Sequence, residues 1–427
     1  MNVIRERLAR HRAGQHAGIY SVCSAHPLVI EAALVQARET GDVALIEATS
    51  NQVNQDGGYT GLRPAEFRDL VLGIARAVGL EGPRVLLGGD HLGPNCWQSG
   101  PADVAMAKAD RLIADYVHAG FRKIHLDCSM ACAGEPAALG DELIAARTAR
   151  LAAHAESAWQ ASGGEPPVYV IGSEVPVPGG AREALDHLEV TRPEAALATV
   201  AAHRVAFATA GLEDAWERVV ALVVQPGVEF GHDSVVEYRP ERAAALSAAI
   251  RAVPNLVYEA HSTDYQSPRA LADLVRDHYA ILKVGPATTF SLREALWALD
   301  AIVAELHPAG TARNLRATLL AALHADPSHW RAYYESSGTA LDLQLQYSLS
   351  DRIRYYWTVP TVRDAVERLF ATFDAAPAPL ALVSQYLPST VDALRTGRLQ
   401  PRARDLVIHH VRRVLDDYSS ACRFPES

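Results

Sequence analysis

Two histidines stand at the ends of short apolar runs, each close to an acid: His91 in Gly88-Gly89-Asp90-His91 and His261 in Tyr258-Glu259-Ala260-His261. Glu174 ends a third run. Two imidazoles and a carboxylate are a standard ligand set for Zn²⁺ or a related divalent ion where one coordination position stays open for substrate. The fourth ligand is sought among Gln225, Glu229 and His232, with Gln225 taken as the ligand and the other two as substrate contacts. A single histidine at a strand end is more often a hydrogen-bonded structural residue than a ligand. The weight therefore rests on the joint placement. Asp90 and Asp127 are the candidate acid/base groups, since a carboxylate beside a metal ligand reaches a hydroxyl of the bound substrate. Either can equally orient an imidazole. Glu47 has the same two readings, or binds sugar hydroxyls.

These residues are far apart in the chain, so the elements between them must bring them together. Short β-rich runs at 18–23, 43–47, 84–88, 123–127, 168–172, 219–225, 256–260 and 281–284 alternate with Ala/Leu/Arg-rich stretches of helical period. Most of the runs read as apolar on both faces, as expected of strands covered by helices outside and a barrel core inside. Strict alternation predicts a parallel sheet with right-handed crossovers, and eight units predict a (β/α)₈ barrel. Polar residues gather where the strands end: Ser24 and His26, Glu47, Asp90 and His91, Asp127 and Ser129, Glu174, Gln225 and Glu229 with His232 beyond, His261 and Ser262, then Lys283 and Thr288. In a barrel all of them converge on the C-terminal mouth, where active sites of this fold lie. Ser24, His26, Ser129, Ser262, Lys283 and Thr288 are read there as substrate contacts. The loop 285–289 opens a helix whose N–H groups can take a phosphate, or serves as an ordinary N-cap. The glycine-rich loop 54–61 is flexible enough to close over a ligand.

The division expected is a barrel over 1–305 and a helical extension over 306–427. Within the extension, Arg352 and Arg354 either grip a phosphate at the mouth or pin the extension by salt bridges; Arg354 is taken as a substrate contact. The tail 401–418 reads as a packing or oligomer helix. Lys+Arg 40 against Asp+Glu 50 leaves a net charge of −10, which offers no basic footprint for nucleic acid. Five cysteines without a CxxC pair argue against a disulfide framework or zinc ribbon. No run approaches a membrane span, and the charged N-terminus shows no secretory signal, so a cytoplasmic protein is expected. No Gly-x-Gly-x-x-Gly follows the first strand, which leaves a dinucleotide site without support.

The segments GGDHLGPN, KIHLDCSM, YVIGSEVPVPGG, VVQPGVEF, YEAHSTDYQ, LKVGP and SDRIRYYW resemble the so-called non-catalytic subunit family of class II tagatose-bisphosphate aldolase, over essentially the whole chain. The resemblance implies a barrel related to the metal-dependent class II aldolases. It matches His91 and His261 to metal histidines, Asp90 to the acid/base beside the first, and Glu174 to a ligand or a supporting acid. Gln225 or Glu229 falls where those aldolases place a third histidine, and their glycine-serine phosphate loop has no counterpart, since Ser262-Thr263-Asp264 follows His261. Some members of the family are 4-epimerases that interconvert tagatose and fructose or their 6-phosphates. The implied activity is therefore C4 epimerisation, with Zn²⁺ as the expected metal and Mn²⁺, Ni²⁺ or Co²⁺ as alternatives. The implied chemistry is retro-aldol cleavage of C3–C4, rotation of the aldehyde and re-addition, with Asp90 on one side and Asp127 or Glu47 on the other. The alternative is an accessory subunit for a class II aldolase, which does no chemistry itself.

Overall fold

The computed structural model describes residues 2–172, 188–307, 315–376 and 378–423. Eight parallel strands close into a barrel: Ile19–Val22, Ala44–Thr49, Val85–Leu92, Lys123–Leu126, Val168–Ile171, Val219–Val223, Val257–Ala260 and Ile281–Val284, the first pairing with both the second and the eighth. The eight predicted strands are all present. The intervening helices start where proline allows. Pro27, Pro64, Pro193, Pro268 and Pro286 each open one, because the N–H that proline lacks has no partner in a first turn. Gly41 and Gly79 end two of them in the left-handed conformation. Among the described residues no helix is long and apolar enough to cross a membrane.

The barrel interior is not uniformly apolar, and here the expectation of strands apolar on both faces fails. Its lower layer is aliphatic (Ile19, Leu45, Val168, Val170, Val220, Val257, Ile281), and Ile4 and Leu8 of the N-terminal helix Val3–Arg12 close it from below. Above that layer the inward positions are Ser21, Glu47, Lys123, His125, Glu259 and Lys283, all buried. Strand side chains alternate with a period of two, so Lys123 and His125 share one inward row, as do Glu259 and His261.

The third strand runs on to Leu92, four residues past its expected end, and it is irregular where it matters. Gly89 pairs with Ile124 and Leu92 with Leu126, so three steps on one strand face two on the next. The extra residue is a bulge. His91 has φ 47°, a left-handed conformation unfavourable for a residue with a Cβ. Regular alternation would send one of Asp90 and His91 outward; the bulge turns both inward. Ser50 holds it, its hydroxyl donating to the His91 carbonyl at 2.8 Å. Glycine is required on either side. A Cβ on Gly88 would lie 2.7 Å from Cγ of Glu47, and one on Gly93 would lie 1.7 Å from the Asp127 carbonyl oxygen.

The C-terminal region meets the barrel both over its mouth and along its outer wall. The segment 329–357 lies across the mouth. Tyr355 stacks edge-on against Tyr59, Trp357 meets His26, and Tyr265 donates to the Leu349 carbonyl at 2.7 Å. The last helix, Ala403–Cys422, lies against the outer wall between helices Pro27–Thr40 and Pro268–Arg276. Gly18 donates its N–H to the Cys422 carbonyl at 2.9 Å. Tyr418 donates to the Thr263 carbonyl at 2.6 Å, two residues from His261.

Candidate active site at the barrel mouth

Three imidazoles, not two, meet above the charged layer. The ring of His91 lies 4.9 Å from that of His125 and 4.8 Å from that of His261, and His125 and His261 are 5.2 Å apart. Each ring has one nitrogen committed to an outer acceptor, and Nδ1 of His125 also accepts the His91 backbone N–H at 3.3 Å. Nδ1 of His91 is 2.8 Å from Oδ2 of Asp127, Nε2 of His125 is 2.8 Å from the Gly172 carbonyl, and Nε2 of His261 is 2.9 Å from Oε1 of Glu259. Those acceptors fix the protons on the committed nitrogens and turn the others toward one another, the second-sphere arrangement typical of histidine metal sites. Nδ1 of His125 lies 3.1 Å and Nε2 of His91 3.8 Å from Oδ1 of Asp90. One donor atom from each of Asp90, His91, His125 and His261 fits within 4.8 Å of all the others.

Beneath them lies an alternating square of charge. Lys123 pairs with Glu47 at 2.8 Å and Glu259 at 2.6 Å. Lys283 pairs with Glu47, with Asp90 at 2.8 Å and with Glu259 at 3.5 Å. Among the described residues Glu47, Asp90, Asp127 and Glu259 are set against two lysines, so with all three imidazoles neutral the buried group carries two excess negative charges. A divalent cation would cancel them. Burial without compensation is costly for such charge, so the donor set and its charge both fit a divalent ion held by His91, His125 and His261, with Asp90 beside it.

The electrostatics separate the acids. Burial raises the Asp90 carboxyl, but His91 and Lys283 hold it well below the usual carboxylate range. Asp127 is likewise held low by His91, against its burial. Its other oxygen accepts from the Ser129 N–H at 3.1 Å and hydroxyl at 2.7 Å. It is placed to orient His91. Glu47 is placed below the cluster, bound by both lysines and by the Ser21 hydroxyl at 2.9 Å. Burial pushes His261 down to about 3, while Asp90 and Asp127 outweigh burial and raise His91. Glu229 is different: burial pushes it up to about 7, tempered by the Phe230 N–H and the Ser262 hydroxyl, beside His261.

The other expected residues divide. Lys283 joins the charged layer. Gln225 spends its amide oxygen on the N–H groups of Gly227 and Val228, at 2.8 and 2.9 Å, which makes it a loop-shaping residue here. His26 caps its helix, Nδ1 accepting from Leu28 at 3.2 Å, and the Ser24 hydroxyl accepts from the His26 N–H at 3.3 Å. Both ring nitrogens of His232 are held by the segment over the mouth, at Ser348 and at the Tyr333 carbonyl. Thr288 donates to the Gly285 carbonyl at 2.6 Å inside the first helical turn. Glu174 lies outside the described residues. The phosphate reading of loop 285–289 is overturned: the N–H groups of Gly285 and Ala287 are spent on Oδ1 of Asp264, at 2.9 and 2.8 Å. Loop 54–61 is a turn folded on Asn54, whose side chain accepts from Asp56 and Gly58. Of the two arginines, Arg352 packs 3.3 Å from the Tyr333 ring centre and donates to the His329 carbonyl. Arg354 sits over the mouth. It donates to the Asp351 carbonyl and the Tyr355 hydroxyl, both at 3.1 Å, and to the Ser350 carbonyl, with no carboxylate of the described residues in ion-pair range. His125 was not singled out from sequence. The signal was available in Lys123-Ile124-His125-Leu126-Asp127, whose alternating polar residues mark one inward face.

Comparison with known proteins gives the family. A crystal structure described as that of a "probable tagatose 6 phosphate kinase" from Sinorhizobium meliloti 1021 is 50% identical, with a TM-score of 0.88 over 95% of this chain and 100% of that one. A fructose-bisphosphate aldolase from Campylobacter jejuni aligns far more loosely, at 15% identity and a TM-score of 0.45 over 86% of this chain and 92% of that one, too loosely to carry residue correspondences. The kinase in the first description is said of that protein alone. The family model that matches residues 4–423 is that of the D-tagatose-1,6-bisphosphate aldolase subunit GatZ/KbaZ-like proteins, and the chain belongs to that family.

Proposed function

We propose that this protein is a metal-dependent C4 epimerase interconverting the tagatose and fructose forms of a ketohexose or its 6-phosphate. The observation that carries the reading is the set of three imidazoles with their outer nitrogens committed and their inner ones converging beside an ionised Asp90. A surface that only stabilised a partner would not need so costly a buried arrangement.

C4 lies β to the C2 carbonyl, so its C–H is not acidic, and inversion by C3–C4 cleavage and re-formation avoids removing that proton. A divalent ion at the histidines would supply positive charge where negative charge develops as that bond breaks. Asp90 takes the proton of the C4 hydroxyl and returns it after the aldehyde has turned. Asp127 and Glu47 are committed to His91 and to the lysines, so the second proton acceptor is assigned to Glu229, whose pKa near 7 suits a group that must both hold and release a proton. Arg354, which sits over the mouth with no carboxylate of the described residues at ion-pair distance, is assigned to the phosphate of a phosphorylated ketose.

The test is the protein alone, loaded with Zn²⁺ or Mn²⁺, and given tagatose 6-phosphate or free tagatose in D₂O. NMR should show the fructose form without deuterium at C4. Deuterium at C4 would replace bond cleavage with direct deprotonation. No product from either sugar would favour the second reading, that of an accessory subunit for a class II aldolase, which the family's description as an aldolase subunit supports. Under that reading, adding this chain should raise the activity or half-life of an aldolase catalytic subunit, and Asp90→Asn should do so equally well.

A further inference from the structure

A second group of ligating atoms adjoins the histidines: Cys23, Glu47 and Asp90 each offer one, all within 4.8 Å of one another. Asp90 belongs to both groups, and a carboxylate shared by two neighbouring cation positions is the layout of a two-metal centre. One of those positions already has a cation. The Lys283 ammonium lies 2.8 Å from Oδ1 of Asp90, is paired with Oε2 of Glu47, and has the Cys23 thiol as a neighbour. Cys23 itself approaches the same Glu47 oxygen at 3.9 Å.

We propose that Lys283 stands in for a second metal ion, keeping the centre mononuclear and fixing Asp90 between an ammonium and the histidine cluster. The strand geometry supports this. Lys283 pairs in register with Ser21, so its side chain rises on the same inward face toward Cys23 at the end of the first strand. Burial works against its charge, but Asp90 and the two glutamates outweigh burial and hold the pKa well above that of an ordinary lysine. An ammonium on a four-carbon stem is a compact point charge. Unlike a metal ion it leaves the thiol protonated, and the Cys23 pKa is indeed raised by burial. Lys283 is thus a positioning residue for Asp90, acting through charge and place without touching substrate.

The inference rests on the metal reading of the histidine cluster given above, but its test is read without turnover. Metal-depleted wild type and Lys283→Met are titrated with Co²⁺, with equivalents per chain measured by elemental analysis and the electronic spectrum recorded. The variant should take one equivalent more than wild type and gain a thiolate-to-cobalt charge-transfer band, which Lys283→Met combined with Cys23→Ser should lack. Equal stoichiometry with no band overturns the proposal, as does a wild type that already takes two equivalents and shows the band. If circular dichroism shows that Lys283→Met does not fold, Lys283→Gln takes its place. That variant also removes the ammonium, keeps Cys23, Glu47, Asp90 and Glu259, and is judged by the same two outcomes. An inactive wild type whose variant gains the equivalent upholds Lys283's role while sinking the epimerase. An active wild type whose variant gains nothing sinks Lys283's role alone.

Discussion

Histidines meet at both ends of this barrel, and only one meeting has the makings of a site. At the floor, Arg251 donates to Nε2 of His278 at 2.8 Å, so Nδ1 of His278 carries the proton and gives it to Nε2 of His11, 2.9 Å away. The two nitrogens that face each other there pair directly, and their product is a helix held in place: Val3–Arg12 closes the barrel from below. At the mouth, His91, His125 and His261 turn their committed nitrogens outward to Asp127, Gly172 and Glu259 and leave the others facing inward. Residue type is the same, though His278 is half-buried where the three at the mouth are buried. What differs is where the second nitrogen is spent.

The sharpest way to break this comparison is Asp90→Asn. Removing a general base should lower turnover on the order of 10²–10⁴-fold while leaving bound metal unchanged, and wild-type-like rates would end the assignment. Next is Glu259→Gln, which keeps an acceptor for His261 but weakens its pull. Metal affinity, read by competition with a chelator, should fall on the order of 10-fold or more. His278→Ala, at the floor, should leave that affinity unchanged; a loss there would mean that the two ends are not independent.

The floor has its own pH signature. Burial, together with the neighbouring His278, lowers His11 from 6.5 to about 4. A histidine whose folded pKa is depressed is stabilising above its unfolded value, and that contribution is lost as pH falls from about 6.5 to about 4. At most it amounts to about 3 kcal/mol. Urea denaturation across that window should show the loss, and His11→Gln should flatten it without altering metal binding. The smallest effect is expected at His26→Asn. Asparagine caps a helix as well as the imidazole does, so stability should move by less than about 0.5 kcal/mol and turnover should not change. A large rise in KM would instead return His26 to the substrate.

Much of the frame was legible before folding was considered, because buried strands with helices on proline starts leave strong, periodic marks. The polar strand ends located the mouth for the same reason. What escaped was whatever depended on a local break in the period or on a distant partner. His125 lies within a strand, not at its end, so reading only strand termini passed over it. No periodicity reveals that a bulge turns both Asp90 and His91 inward, although the paired glycines before them give a reason for it afterwards. The helix start at Gly285 read as a place for phosphate because Asp264, which occupies it, lies 21 residues away in sequence. His232 and Arg354 both seemed to face a substrate. Only the fold shows that one is tied at both nitrogens by the covering segment, while the other has no carboxylate in range among the described residues.

The helix Ala403–Cys422 ties assembly of the site to time. It fills the wall beside the first strand, and its Tyr418 fastens the turn that follows His261. Between Val22, which ends that strand, and Ala403 lies most of the chain, which a ribosome working at 5–20 residues per second needs roughly 20–80 s to make. For that interval the first strand has an uncovered flank and the His261 turn lacks its anchor. The nascent barrel must therefore wait for a helix made long after its first strand.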